Sequence, residues 1–375
     1  MDLVQWLKNQ WQAERVRDTY FRIPDANVHN SSGVPLTPTP VKAGEQYFQI
    51  WLTEMFLKNS REWGSSWYPA VMASVQLKFG NKAQEITHLA GESALKDFKM
   101  ADVNKGVAVN HAITTVLPFN GGAITLEAAM LAMQGKSDIA SLIKVLGNFS
   151  KLLVVPQLSA ALAVAEPLAN GIAELVGATN AHPELRLQDT WGGAAGGNPH
   201  VLQAGYFVVI SAPDGEIRPE ELQVRDGRLY RGESAMSGYH YMLFRVDVNS
   251  TRDDWDSISS ISDPWQDAIG LLENSLKADD PTLQKGMMAE AEKRFASARI
   301  AAFRAPELTS VVGKNQVLDA LDRRWKEAKS QLGLGAVKED FPRKLSEALR
   351  NPLSVKLAIE RGERVEEDLW TANGS

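Results

Sequence analysis

The side chains able to do chemistry are thinly spread along this chain. His29, His88, His111, His182, His200 and His240 are its six histidines. None of them pairs at i, i+2 or i, i+4, so the His-x-x-x-His spacing that puts two metal ligands on one helical face is missing. Cysteine is absent, which excludes thiolate metal sites, disulfides and a cysteine nucleophile together. The two approaches to a Gly-x-Ser-x-Gly elbow, Gly91-Glu92-Ser93 and Gly232-Glu233-Ser234, continue with Ala94-Leu95 and Ala235-Met236. Gly313-Lys314 ends like a phosphate loop, but Leu308 stands where Gly is needed and Asn315 where Ser or Thr is needed. Asp247-Val248-Asn249-Ser250-Thr251 opens like a calcium loop and is broken by Arg252 and Ile258 at the turn and bidentate positions. The Gly192–Gly197 run lacks the Lys of a phosphate loop and reads as a surface loop. The sequence therefore assigns no catalytic residue, no cofactor and no metal, and leans away from an enzyme.

Four groups remain as candidates. Arg252-Asp253-Asp254-Trp255-Asp256 could pair carboxylates for acid/base hydrolysis if one were desolvated. The same residues equally suit a loop and helix cap. Arg61, Trp63, Trp67 and Tyr68 fall in one expected loop, where aromatics beside an arginine make interface anchors or cap a β layer. Trp6 and Trp11, with Leu3, Leu7 and Val16, lie on an amphipathic helix expected over Met1–Tyr20, a docked arm or an interaction handle. The fourth group is the turn Asn120, Gly121 and Gly122, where positive φ is cheap.

That turn lies in a charge-free segment. Gly106 to Leu126 contains no Asp, Glu, Lys or Arg, and Pro118 with the turn rules out a single helix. Two strands, Val107–Phe119 and Ala123–Met133, are expected as a hairpin. Such a hairpin has the length to cross a bilayer, since a spanning strand needs only about 9–11 residues. Asn110, His111, Thr114 and Thr115 spoil a lipid face, so the hairpin is read as buried core, with a latent membrane role as the alternative. On the core reading, helices 138–153 and 157–176 cover it, and Ile113, Leu117, Ile124, Leu142, Leu146, Leu162 and Leu168 are buried.

The rest of the chain must position these groups. Gln46–Lys58 alternates with apolar residues on both faces, Val71–Phe79 alternates again, and Ala83–Leu89 returns, an expected antiparallel meander. His182–Pro199 reads as a loop. Tyr206–Ala212, Leu222–Arg225, Arg228–Arg231 and Tyr239–Val248 read as strands, with Asp226-Gly227 a two-residue hairpin turn. Asp263-Pro264 and Asp280-Pro281 place an N-cap before a proline at the first helical position. Helices are expected over about 264–277, 281–304, 314–331 and 341–361. The fold class is α+β: a mainly antiparallel β domain over 41–262 with a helical insertion at 137–178, then a helical domain over 263–370. An N-terminal helix and Pro/Ser-rich connector occupy 1–40, and 371–375 form a tail.

With 375 residues and 44% apolar side chains, the chain can bury sizeable cores. A net charge of −6 argues against nucleic acid as a partner, because phosphate binding draws on surplus Lys and Arg. The start Met1-Asp2-Leu3-Val4-Gln5 lacks the pattern of a secretory signal, so a cytoplasmic location is expected. The leading expectation is a non-catalytic protein-interaction module, a scaffold, regulator or effector-associated subunit with a protein partner. The alternatives are a membrane-active effector that meets a membrane only after a trigger, and a hydrolase using residues 253–256.

Overall fold

The computed structural model describes residues 19–29, 40–58, 61–62, 65–79, 82–90, 107–134, 182–192, 200–213, 215–252 and 254–331. The expected insertion 137–178, the stretch carrying Trp6 and Trp11, and the helix 341–361 lie outside the described residues. The fold is α+β, with mainly antiparallel sheets and, among the described residues, three α-helices. It divides into two compact units. One runs through Arg252 and takes in Pro306–Ser310, and the other holds the remaining residues after Arg252.

The first unit is built of three sheets. The first sheet takes β1 (Thr19–Arg22), β12 (Gly205–Ile210), β16 (Tyr241–Asn249), β3 (Tyr47–Phe56) and β7 (Val107–Ala112) in that order, with β8 (Leu117–Pro118) also on β3. The second takes β11 (His200–Val201), β10 (His182–Gly192), β9 (Ala123–Gln134), β5 (Ser65–Phe79) and β4 (Arg61–Glu62), with β6 (Lys82–Ala90) on β5. The third is small: β15 (Ser234–Ala235), β14 (Arg228–Arg231), β13 (Leu222–Arg225) and β2 (Val28–His29).

Alternation explains the layering. Phe48, Ile50, Val71, Val75, Leu126, Met130, Leu187, Phe207 and Phe244 form one core between the first two sheets. Tyr206, Val208, Ile210 and Leu243, on the opposite face of the first sheet, pack with Leu222, Val224 and Leu229 of the third. The first sheet is thus the middle layer, which is why every residue of β12 is buried. Asp226 and Gly227, at φ 49° and 78°, form the hairpin turn between β13 and β14 expected from the sequence.

One irregularity in β3 sets the polar anatomy of this middle layer. Leu243 stands opposite Glu54 and Phe244 opposite Leu52, so Thr53 is an extra residue, a β-bulge whose Oγ1 donates to the Leu243 carbonyl at 3.1 Å. Strict alternation puts Met55 on the face of Tyr47 and Trp51. The bulge shifts the parity, so Met55 and Leu57 join Phe48, Ile50 and Leu52 in the inter-sheet core. Glu54 turns instead toward the third sheet. It is 3% exposed and accepts from the Leu229 amide at 2.8 Å. Desolvation holds its carboxyl above the ordinary value, opposed by hydrogen bonds from Leu229 and Tyr241 and by the charge of Arg228.

Several expectations are corrected here. Val107–Phe119 and Ala123–Met133 do not form a hairpin: β7 and β8 pair with β3, whereas β9 pairs with β5 and β10 in the other sheet. The turn does use positive φ, at Gly121 and Gly122, but it carries the chain across the sandwich. A few extended residues at about 3.3 Å each suffice for the roughly 10 Å between packed sheets. Without a paired hairpin, the membrane-spanning β reading loses its premise. Ile113, Leu117 and Ile124 are buried as expected, and Leu142, Leu146, Leu162 and Leu168 lie outside the described residues. No helix among the described residues is long and apolar enough to cross a membrane.

The meander is corrected too. β5 and β6 pair as expected, but β3 belongs to the other sheet. The expected loop His182–Pro199 contains the 11-residue strand β10. Thr19 and Tyr20, expected at the end of a helix, open β1, in keeping with the β preference of Thr-Tyr-Phe. In the expected connector, Val28–His29 pair with β13.

The helical unit contains α1 (Ser259–Ser275), α2 (Pro281–Arg304) and α3 (Gly313–Gln331). Asp280 caps α2 as expected, accepting from the Thr282 amide at 2.8 Å ahead of Pro281 at the first position. Asp263-Pro264 does not start α1. The helix begins at Ser259 and Pro264 lies inside it, because burial of Ile258 and Ile261 draws the preceding turn into the helix. Pro264 there forgoes one backbone donor. Trp265, Phe295 and Trp325 interlock across the three helices, with Phe295 and Trp325 stacked at 4.6 Å.

Substitutions at Ile124, Leu126 and Glu54 test this architecture. Ile124, opposite both Leu77 and Trp191, tolerates no charge. Ile124→Glu is expected to abolish the cooperative thermal transition followed by circular dichroism, and Leu126→Ala to cost about 2–5 kcal/mol. Glu54 has a raised folded-state pKa, so its contribution favours folding most below the unfolded value and fades as pH rises through the folded one. Glu54→Gln, which keeps an acceptor for Leu229 and loses the charge, is expected to flatten that decline in urea unfolding from acid to neutral pH. Glu54→Ala leaves the Leu229 amide without its acceptor and is expected to cost about 1–3 kcal/mol.

Candidate functional site

The residues singled out from the sequence do not converge. Trp6, Trp11, Trp63 and Asp253 lie outside the described residues. Arg61, expected in a loop with Trp67 and Tyr68, is in β4 opposite Ser66, and Trp67 and Tyr68 are in β5 opposite Gln134 and Met133. The aromatic Trp67 and Tyr68 suit the strand they occupy. Trp67 is half-buried and packs against the inter-sheet core. Asn120 is no free tip: its Oδ1 accepts from the Ser310 amide at 3.0 Å. Asp254 and Asp256 are exposed, and Asp256 lies 3.8 Å from Arg324. Neither has the desolvated setting that acid/base work requires.

A different group does converge, at the end of the sandwich where β1 and β11 terminate their sheets. Leu185, Leu187, Asp189 and Trp191 alternate along β10, and the same parity that buries the leucines buries Asp189 at 8% exposure. A carboxylate on an apolar strand face must be supplied with donors. Asp189 Oδ1 accepts from the Thr190 amide at 2.8 Å and from His200 Nδ1 at 2.6 Å, and Oδ2 accepts from Trp191 Nε1 at 2.5 Å. Tyr20 on β1 hydrogen-bonds the same carboxylate, and its ring lies 5.4 Å from that of His200. Burial first, and then the Asp189 charge, push the Tyr20 hydroxyl well above its ordinary value.

This cluster closes the seam between the two sheets. Trp191 meets Phe207 edge to face at 4.9 Å, and Phe207 meets Tyr20 at 5.6 Å. Nδ1 of His200 faces Asp189, so Nε2 is the ring nitrogen left for an outside partner. Nε2 makes no hydrogen bond among the described residues. Asp189 and His200 thus resemble two members of a triad, with no hydroxyl hydrogen-bonded in the third place among the described residues.

Beside the cluster is a small cleft with room for about one water, lined by Tyr20, Arg22, Val201 and Gln203 over the buried Trp191 and Phe207. Arg22 is held in place by one guanidinium nitrogen: Nη2 donates to Asp25 Oδ1 at 2.8 Å and to the Ala204 carbonyl at 3.1 Å. Gly205, at φ 145°, makes room for it, since a Cβ there would stand 2.8 Å from Nη2. No group of three or more metal-binding side chains occurs among the described residues.

None of these residues was found from the sequence, although one signal was present. Leu-x-Leu-x-Asp-x-Trp over 185–191 is a strand alternation with a carboxylate on its apolar face, obscured by the neighbouring glycines. Comparison of the chain with family models, curated proteins and solved structures finds no match.

Asp189→Asn tests the cluster. It removes the charge that helps suppress Tyr20 ionisation, so tyrosinate absorbance from Tyr20 is expected to appear at lower pH than in the parent chain, with Tyr20→Phe identifying the signal. Stability is expected to fall by about 1–3 kcal/mol, since an amide can accept from only one side.

Proposed function

We propose that this chain is a non-catalytic protein-interaction module, a scaffold, regulator or effector-associated subunit acting in the cytoplasm, and that it engages its partner at the strand edges of Tyr20 and Val201. The observation that supports this reading is the meeting of two edge strands, with Tyr20 of β1 lying 5.4 Å from His200 of β11. Among the described residues β1 and β11 each end a sheet, which leaves backbone on their outer sides for an added segment, and Val201 presents an apolar side chain at 37% exposure there. The cleft beside these strands holds about one water, so it is the strand edges and not a pocket that would meet a partner. Hydrogen bonds of Asp189 to His200 and Tyr20 tie β10, β11 and β1 together at this edge.

A photo-crosslinking residue placed at Val201 is expected to capture one reproducible protein in the native host. The same probe at Leu283, an exposed apolar position on α2, is expected not to capture it. Val201→Glu should abolish recovery of that protein by affinity purification while leaving the free energy of unfolding within about 1 kcal/mol of the parent chain. Equal capture from both positions, or recovery unaffected by Val201→Glu, would overturn the assignment of the strand edges.

A further inference from the structure

The connection between α2 and α3 supplies the β unit with a segment from outside its strands. Pro306–Ser310 belong to that unit, although the residues before and after them belong to the helical one. The segment lies in no strand of the three sheets, and side chains bond its backbone. Tyr47 Oη accepts from the Thr309 amide at 3.2 Å, and Asn120 Oδ1 accepts from the Ser310 amide at 3.0 Å. Arg252, itself buried, donates from Nη1 to the Glu307 carbonyl at 3.3 Å and to the Val116 carbonyl at 3.1 Å. Leu308 and Thr309 are buried between these contacts, while Pro306 and Ser310 at the two ends are exposed.

Two opposing effects act on this segment. Seating it hides Leu308 from water, which favours the seated state. It also hides Glu307, 5% exposed, whose Oε2 has no hydrogen-bond partner among the described residues. A buried carboxyl oxygen without a donor has lost its hydration with no return, and regains it only by leaving. The seat does not depend on the segment in the same way. Tyr47 is paired with Asn249 of β16 and with Pro118 of β8, so its strand stays in the ladder whether or not Thr309 is bonded to its hydroxyl. We propose that Pro306–Ser310 form a strap, with the unmet Glu307 carboxyl as its release, that unseats as one piece while the sheets stay folded and bares Leu308 and the Tyr47 hydroxyl. Asn120, in the turn that carries the chain between the sheets, is one catch of this strap and Tyr47 is the other.

Hydrogen exchange of the full chain, read amide by amide in rising urea below the unfolding transition, tests the strap. Protection of the Thr309 and Ser310 amides is expected to be at least about tenfold lower than that of Val208 and Leu243 in the first sheet. It should also depend little on urea, because unseating five residues exposes little surface. Glu307→Met keeps the side-chain length, removes the unpartnered oxygen and should raise protection of both amides by about tenfold. Tyr47→Phe removes one catch and should lower protection of both by about tenfold, including that of Ser310, which Tyr47 does not bond. Protection and urea dependence equal to those of Val208 and Leu243 would mean that the segment leaves only when the sheets unfold, and overturns the proposal. So does a folded Glu307→Met with unchanged protection, or a Tyr47→Phe that affects Thr309 alone. Where Glu307→Met fails to fold, the urea series on the parent chain and Tyr47→Phe decide.

Discussion

Burial of the first sheet on both of its faces is the constraint from which the rest of the β unit follows. A strand covered on one side can place polar residues at every second position, but β12 and the first half of β16 cannot. Their backbone polar groups are satisfied within the ladder, and their side chains contribute apolar area to two cores at once. At roughly 25 cal/mol per Å² of apolar surface, a doubly covered strand supplies nearly twice the stabilisation of a half-exposed one. The small third sheet exists to complete this arrangement, since without it Tyr206, Val208, Ile210 and Leu243 would face water.

Such a layer has little room for charge, and the few charged groups it holds are fixed by specific geometry. Glu54 reaches the interior only because the bulge at Thr53 turns it toward the Leu229 amide. On the same side of the sheet, Arg245 lies 5.0 Å over the Trp51 ring and 2.9 Å from Asp247. Burial lifts the Asp247 carboxyl above its ordinary value even beside that arginine. Each of these groups ties neighbouring strands together, and none is aimed into an open cleft. The seam at β1, β10 and β11 differs. There a buried carboxylate is surrounded by donors that come from three strands, and two of those strands end their sheets.

The helical unit is organised on another principle. Its core is narrow: Trp265, Phe295 and Trp325 in the centre and small residues, Ala291, Ala298 and Ala302, along α2. Alanines allow close helix approach, and the three aromatic rings fill what remains. Arg299, 6% exposed, pairs with Asp322 across α2 and α3, and Lys329 bonds Glu292 at 3.0 Å between the same helices. Ile261, Leu272, Val317, Leu318 and Leu321 are buried in the same unit and complete its apolar core.

The sequence by itself determined the α+β class, the turn at Asp226-Gly227, the cap at Asp280-Pro281 and the burial of Ile113, Leu117 and Ile124. Each of these is local: two left-handed residues, one capping carboxylate, or an alternation that hides apolar groups whatever lies opposite. Tertiary structure alone decided which strands pair, because a period of two marks the buried face of a strand and says nothing about its neighbour. Hence the apparent hairpin around Asn120 became a crossing between sheets, and the parity of β3 changed at Thr53. It also decided the candidate site. Tyr20, Asp189 and His200 carry no shared spacing, and they meet only because β1 and β11 end two different sheets on the same side of the sandwich.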